Sequence, residues 1–145
     1  MRPEEQEHIR QDGYALAMRY MDNAKDALKK AGRDGRCFKD SKYVSSASGI
    51  AYKGVLVALD AWLRLKEVKL PKENKRGEKK GKSIEFYRKN LTKMDKKLLQ
   101  NLNVAYDNLH LYGYYDGVLE ADTIDKGFET AYNIINKIKP RQEAL

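Results

Sequence analysis

A chain of 145 residues with 41% hydrophobic and 34% charged side chains is one domain's worth of protein, long enough to bury a core without covalent staples. Three prolines and ten glycines are too few for a sandwich or barrel of many short strands, and a single cysteine, Cys37, excludes an internal disulfide and a cysteine-based zinc site. The net charge of +8 is concentrated: residues 66–97 carry a charge equal to the whole excess while the flanks cancel, so the positive field is local and directed at an anion, a nucleic acid or an acidic protein partner.

The sequence starts Met1-Arg2-Pro3-Glu4-Glu5-Gln6-Glu7, an acidic run with no apolar stretch behind it, which does not read as a signal peptide. The most apolar stretch, 50–65, is interrupted by Lys53, Asp60 and Arg64, too short and too charged to span a bilayer. The expectation is a cytoplasmic protein with no membrane partner.

The first helix is predicted over about 4–31. Tyr14, Ala17, Met21, Ala24, Leu28 and Ala31 recur at spacings of 3 and 4, a stripe that exists only on a helix. Gly32 stands where a helix terminator belongs, and 32–39 reads as a turn. Asp40 or Ser41 can cap a second helix over 41–68. There Ala47, Ala51, Gly54 and Ala58 form a stripe of small residues against which another backbone can come close. Val44, Ile50, Val55, Leu56, Leu59, Trp62 and Leu63 cover most other sides, so this helix is central. Asp60 and Arg64 form an i,i+4 pair on its wet edge. Pro71 ends the run. Residues 72–82 are lysine-rich, hold no large apolar side chain, and read as an exposed basic loop.

Ser83 can cap a third helix over 83–112, with Ile84, Tyr87, Leu91, Met94, Leu98, Leu102, Ala105, Leu109 and Tyr112 on one stripe. Thr92 and Asp95 have capping-box spacing, which predicts a kink or restart near 90–92. Gly113 and Gly117 end this helix. Asp122 can cap a fourth over 122–139, with Ile124, Phe128, Ala131, Ile135 and Ile138 inward and Pro140 as the stop. Four amphipathic helices in one domain of residues 1–145 predict an all-α, antiparallel up-down four-helix bundle.

The chemistry is sparse. The run 77–83 imitates a phosphate-binding loop, but it has three residues between its glycines where the motif needs four, and no strand precedes it. Lys75, Arg76, Lys79, Lys80 and Lys82 are therefore read as a basic contact surface. The densest segment is His110-Leu111-Tyr112-Gly113-Tyr114-Tyr115. His110 has the one side chain there that titrates near neutrality, which makes it a weak catalytic candidate. Tyr112, Tyr114 and Tyr115 can stack on bases or on a partner, or simply plug the end of the bundle. Asp107 and His110 lie i,i+3, yet the facing helices offer too few carboxylates for a di-metal site, and no metal or cofactor is expected. Cys37, beside Arg36 and Lys39, is a lone turn cysteine.

The runs Asp40-Ser41-Lys42-Tyr43-Val44-Ser45-Ser46-Ala47, Ala51-Tyr52-Lys53-Gly54-Val55-Leu56-Val57-Ala58-Leu59-Asp60 and Leu109-His110-Leu111-Tyr112-Gly113-Tyr114-Tyr115-Asp116-Gly117 are similar to a family of small Bacteroidetes proteins that itself resembles the HEPN superfamily. The likeness covers about 17–138. It implies a four-helix bundle, often dimeric, that works beside a nucleotidyltransferase or as an RNase toxin. The RNase members place an Arg, then four to six residues, then a His. Only His110 matches the histidine; Asn103, Val104 and Ala105 stand where the arginine is needed, and the nearest upstream basic residue is Lys97. Without a guanidinium to stabilise a developing phosphate charge, cleavage is not carried over. The expectation is a non-catalytic binding or assembly module, a homodimer with Trp62 and the tyrosines as dimer face. It would contact nucleic acid or an acidic protein through residues 72–82. An RNA-cleaving toxin or nucleotidyltransferase-associated component using His110 is the alternative.

Overall fold

The computed structural model describes residues 1–71 and 83–141. The described residues are all-α apart from one small hairpin. The first helix, α1 (Pro3–Lys29), begins with Pro at a position whose N–H has no partner to lose and places Glu4 and Glu5 in its first turn, where the helix dipole favours carboxylates. Gly32 follows in the left-handed conformation, φ +66°.

The segment 32–39, predicted as a turn, contains a hairpin of β1 (Arg33–Asp34) and β2 (Cys37–Phe38) paired antiparallel. Strands of two residues carry no alternation to read. Their loop starts at Gly35, φ +62°, where tight hairpins need a positive φ. The hairpin then grips a distant segment: the Phe38 N–H donates to the Leu119 carbonyl at 2.7 Å and the Ala121 N–H to the Arg36 carbonyl at 2.8 Å.

Next comes α2 (Ser41–Leu65), capped by Asp40, whose carboxylate accepts the Lys42 N–H at 3.0 Å. It is the central helix, packed against α1, against the π segment described below and against α5. The stripe of small residues is the reason α1 can approach. A Cβ at Gly54 would lie 3.2 Å from the Ala17 carbonyl oxygen and 3.3 Å from the Tyr20 Cβ. Trp62, expected at a dimer face, is only 7% exposed and belongs to the core. The helix ends earlier than the predicted 68. Val68 N–H donates to the Leu63 carbonyl and Glu67 N–H to that of Arg64, a Schellman closure built on Glu67 at φ +59° rather than on glycine.

The basic loop 72–82, with Lys75, Arg76, Lys79, Lys80 and Lys82, lies outside the described residues. Beyond it the predicted third helix is three pieces: α3 (Ile84–Met94), α4 (Lys96–Ala105) and a π-helical segment (Tyr106–Tyr115). The restart falls at Asp95, not at 90–92. Thr92 does not cap; its hydroxyl bonds back to the Arg88 carbonyl at 2.6 Å. Asp95 instead accepts the Leu98 N–H at 3.0 Å, and its other oxygen meets Lys137 Nζ at 3.3 Å. Gly113 stays inside the π segment, and Gly117, φ +58°, ends it. The last helix, α5 (Ala121–Ile135), closes in a 3-10 turn, Asn136–Ile138. Its N-cap is Glu120, without a capping side chain, not the predicted Asp122.

Rods consecutive in the chain run antiparallel. Gly13 faces Ala61 while Gly54 faces Ala17, Gly117 faces Ser41 while Tyr87 meets Asp60, and Gly127 faces Leu109 while Lys137 reaches Asp95. One core joins Met21, Val44, Leu59, Leu63, Leu91, Leu98, Leu102, Leu109, Ile124 and Ile135, all fully buried or within 1% of it. Among the described residues no helix is long and apolar enough to cross a membrane.

Candidate functional site

The π segment carries the chemistry. A helix that closes through i→i+5 hydrogen bonds winds more slowly than an α-helix, so residues four and five apart come to share a face. Tyr106, His110 and Tyr114 are four apart, and Tyr115 is five beyond His110. Their rings meet accordingly: His110 lies 5.1 Å from Tyr106, 6.0 Å from Tyr114 in a near-parallel stack, and 5.1 Å from Tyr115 edge-on. From α2, Tyr52 closes the box at 4.9 Å. His110 therefore sits among four tyrosine rings.

The walls of this box are fixed by the backbone around it. The Ser45 hydroxyl donates to the Tyr114 carbonyl, and Gly113 faces Ser48 so closely that a side chain there would collide with it. The Ser48 hydroxyl is buried with no hydrogen-bond partner among the described residues. Tyr52 is held protonated because burial pushes its phenol far above the usual range, with Tyr106 adding to the effect. Burial also lowers the His110 pKa, which favours a neutral imidazole at pH 7.

An arginine that the sequence reading missed completes the site. Arg88, on α3, lies with its guanidinium 5.1 Å from the Tyr106 ring centre. Its Nε donates to the Asn103 side-chain oxygen at 2.9 Å, and an outer nitrogen reaches Glu85 at 3.4 Å. Asn103 is one of the positions where the RNase pattern asks for an arginine; here it holds one supplied by another helix. No spacing rule could have found Arg88, because it lies 22 residues before His110 and off the apolar stripe.

Among the predicted site residues, the structure brings Tyr114 and Tyr115 to His110. Tyr112 turns away, to a cleft of about 550 Å3 lined also by Val118 and Leu119. All three tyrosines reach solvent, Tyr115 at 68% exposure. The cations between 72 and 82 expected to touch a partner lie outside the described residues. Arg88 is the cation the described residues set against the aromatic cluster.

Comparison with known proteins adds no activity. Residues 12–140 match the signature described as a domain of unknown function, DUF5618. A solved structure described as a protein of unknown function from Dyadobacter fermentans is similar with a TM-score of 0.73 and 37% identity, over 89% of this chain and 94% of that one. No curated protein matches.

Proposed function

The chain belongs to the DUF5618 family, and we propose that it is a non-catalytic binding module that contacts single-stranded nucleic acid at the aromatic end of the π segment. The observation that carries this reading is the exposed pair Tyr114 and Tyr115, with ring centres 5.3 Å apart and both packed on His110. Bases stack on such rings regardless of sequence, with truncation of one ring costing about 1–3 kcal/mol. Arg88 and the lysine-rich residues 72–82 supply cations for the phosphates. The antiparallel course of consecutive rods supports grouping α1, α2, the α3–α4–π rod and α5 as a four-helix, HEPN-like bundle. The exposed face of Tyr112 and Leu119 suits a second copy in a homodimer.

The test is fluorescence anisotropy with short labelled single-stranded RNA and DNA. Affinity should fall steeply with salt, and Tyr114→Ala or Tyr115→Ala should weaken it by at least about fivefold. Absence of binding at low salt, or binding indifferent to both tyrosines, refutes the reading.

One arrangement favours the RNA-cleaving alternative: Asn103 holds Arg88 against Tyr106, which packs on His110. A guanidinium and an imidazole packed on the same tyrosine ring restore in part the pairing whose absence argued against cleavage in the sequence. RNA cut by the wild type and left intact by His110→Ala and Arg88→Ala would establish it in place of passive binding.

A further inference from the structure

A second site lies away from the aromatic box. The last turn of α1, the hairpin and α5 enclose a cleft of about 310 Å3. Its floor is apolar, made by Leu28 and the buried Phe38. Three cations line it, Lys25, Lys29 and Arg33, against one carboxylate, Asp125. Two of these cations are positioned by the fold. The Arg33 guanidinium lies 5.6 Å from the Phe38 ring centre and 3.3 Å from Asp125, and Lys25 Nζ sits 5.0 Å from the ring centre of Tyr132.

Lysines gather at helix C-termini to serve free carbonyls. Here three carbonyls around the helix end already have partners. Leu28 accepts the Ala31 N–H at 3.0 Å, Lys29 accepts that of Gly32 at 3.3 Å, and Ala31 accepts those of Lys39 and Asp40 at 3.3 and 3.1 Å. The cations around the cleft are not needed at these three carbonyls.

We propose that this cleft binds a small organic anion with an apolar body, an alkyl or aryl carboxylate. Its body lies on Leu28 and Phe38 and its carboxylate lies between Lys25 and Lys29. The volume is at the small end of ligand pockets, about 300–1,000 Å3, which suits a short chain or a single ring. The floor discriminates against a bare inorganic anion, which has no apolar surface to bury. The cations discriminate against a neutral molecule of the same shape, because only an ionised acceptor makes charge-assisted hydrogen bonds with them.

The experiment is an NMR titration of the full chain, followed at the amides of Leu28, Gly32 and Phe38, with octanoate, 1-octanol and inorganic phosphate as probes. Octanoate should give saturable shifts, with the other two at least tenfold weaker. Lys25→Ser and Lys29→Ser, both exposed positions that leave the core intact, should each weaken octanoate by about threefold. Asp125→Asn removes the opposing charge and should tighten it. Equal binding of 1-octanol, no saturable shift with octanoate, or loosening by Asp125→Asn overturns the proposal. It stands or falls separately from nucleic-acid binding at the aromatic end.

Discussion

Asp95 is the residue that divides the third rod, and its contribution can be taken apart. Its carboxylate does two jobs: it accepts the Leu98 N–H at 3.0 Å as the N-cap of α4, and it meets Lys137 Nζ at 3.3 Å. A lost N-cap costs about 1 kcal/mol. An ion pair this exposed contributes roughly 0.2–1 kcal/mol. Asp95→Ala should therefore destabilise by about 1.5 kcal/mol, a drop of about 5 °C in Tm for a domain of this size. Asp95→Asn retains a capping oxygen and loses only the pair, so it should cost about 0.5 kcal/mol. The pKa of Asp95 is lowered chiefly by the Leu98 N–H, with Lys137 assisting. A depressed carboxylate gives stability that is fully present above its unfolded pKa, near 3.9, and lost as pH falls through the lower folded value. The Tm gap between wild type and Asp95→Ala should thus be constant from pH 7 to 5 and close in stronger acid. Thermal melts followed by circular dichroism measure all of this. If Asp95→Asn is as damaging as Asp95→Ala, the ion pair and not the cap holds the restart. If neither changes Tm, the break between α3 and α4 does not depend on Asp95.

Four further outcomes follow from local geometry. Glu67 occupies a left-handed position, so Glu67→Gly should stabilise by about 0.5 kcal/mol despite losing an exposed contact with the Met1 amino group, whereas Glu67→Ala should not; chemical denaturation compares them. A Cβ at Gly127 would stand 2.6 Å from Leu109 Cδ2 and 2.8 Å from its Cγ, so Gly127→Ala should lose about 1 kcal/mol in the same assay even after its gain in helix propensity. Ser48→Ala removes a buried hydroxyl without a partner among the described residues and should leave Tm unchanged or raise it; a fall of several degrees would reveal a hydrogen bond to that oxygen. Burial favours neutral His110 in the folded chain, so the stability this imidazole permits is present above pH 6.5 and declines below it; wild type should lose more Tm between pH 7 and 5 than His110→Phe.

Most of the interior was legible in the sequence because the α-helical repeat is simple. Ala17, Met21 and Ala24 in α1, Ala47, Ala51 and Ala58 in α2, and Ile124, Phe128, Ala131 and Ile135 in α5 all lie on predicted stripes and are all buried. The glycine at 54 marked the close approach of α1 correctly. The stripe of the third rod failed at two places, each with a cause. Met94 is the last residue before Asp95 turns the chain, and Tyr112 lies where the winding has changed; both are over 40% exposed. Trp62 was expected outside because aromatic residues favour interfaces, but a helix apolar on most sides has little surface left to offer. The hairpin escaped notice because its pairing is set by Gly35 and by the Leu119 carbonyl and Ala121 N–H far along the chain, not by any local pattern.

The functional cluster was half legible for the same reason. On an α-helix, residues five apart point in directions well separated around the axis, so Tyr115 would not face His110 and Tyr112 would continue the buried stripe begun by Leu102, Ala105 and Leu109. The π segment reverses both placements. It brings Tyr115 edge-on to His110 at 5.1 Å and sends Tyr112 outward. Long π-helical stretches are rare and have weaker local support than α-helix, so something in the tertiary structure must hold this one. Three contacts do so: Gly113 lies flat against Ser48, Ser45 bonds the Tyr114 carbonyl, and the hairpin captures Leu119 just beyond Gly117. All three come from sequence positions 37–48, the turn and the start of α2. The aromatic box is thus assembled by the N-terminal half of the chain acting on the C-terminal half, which is why a composition rich in tyrosine announced the segment while its arrangement waited on the fold.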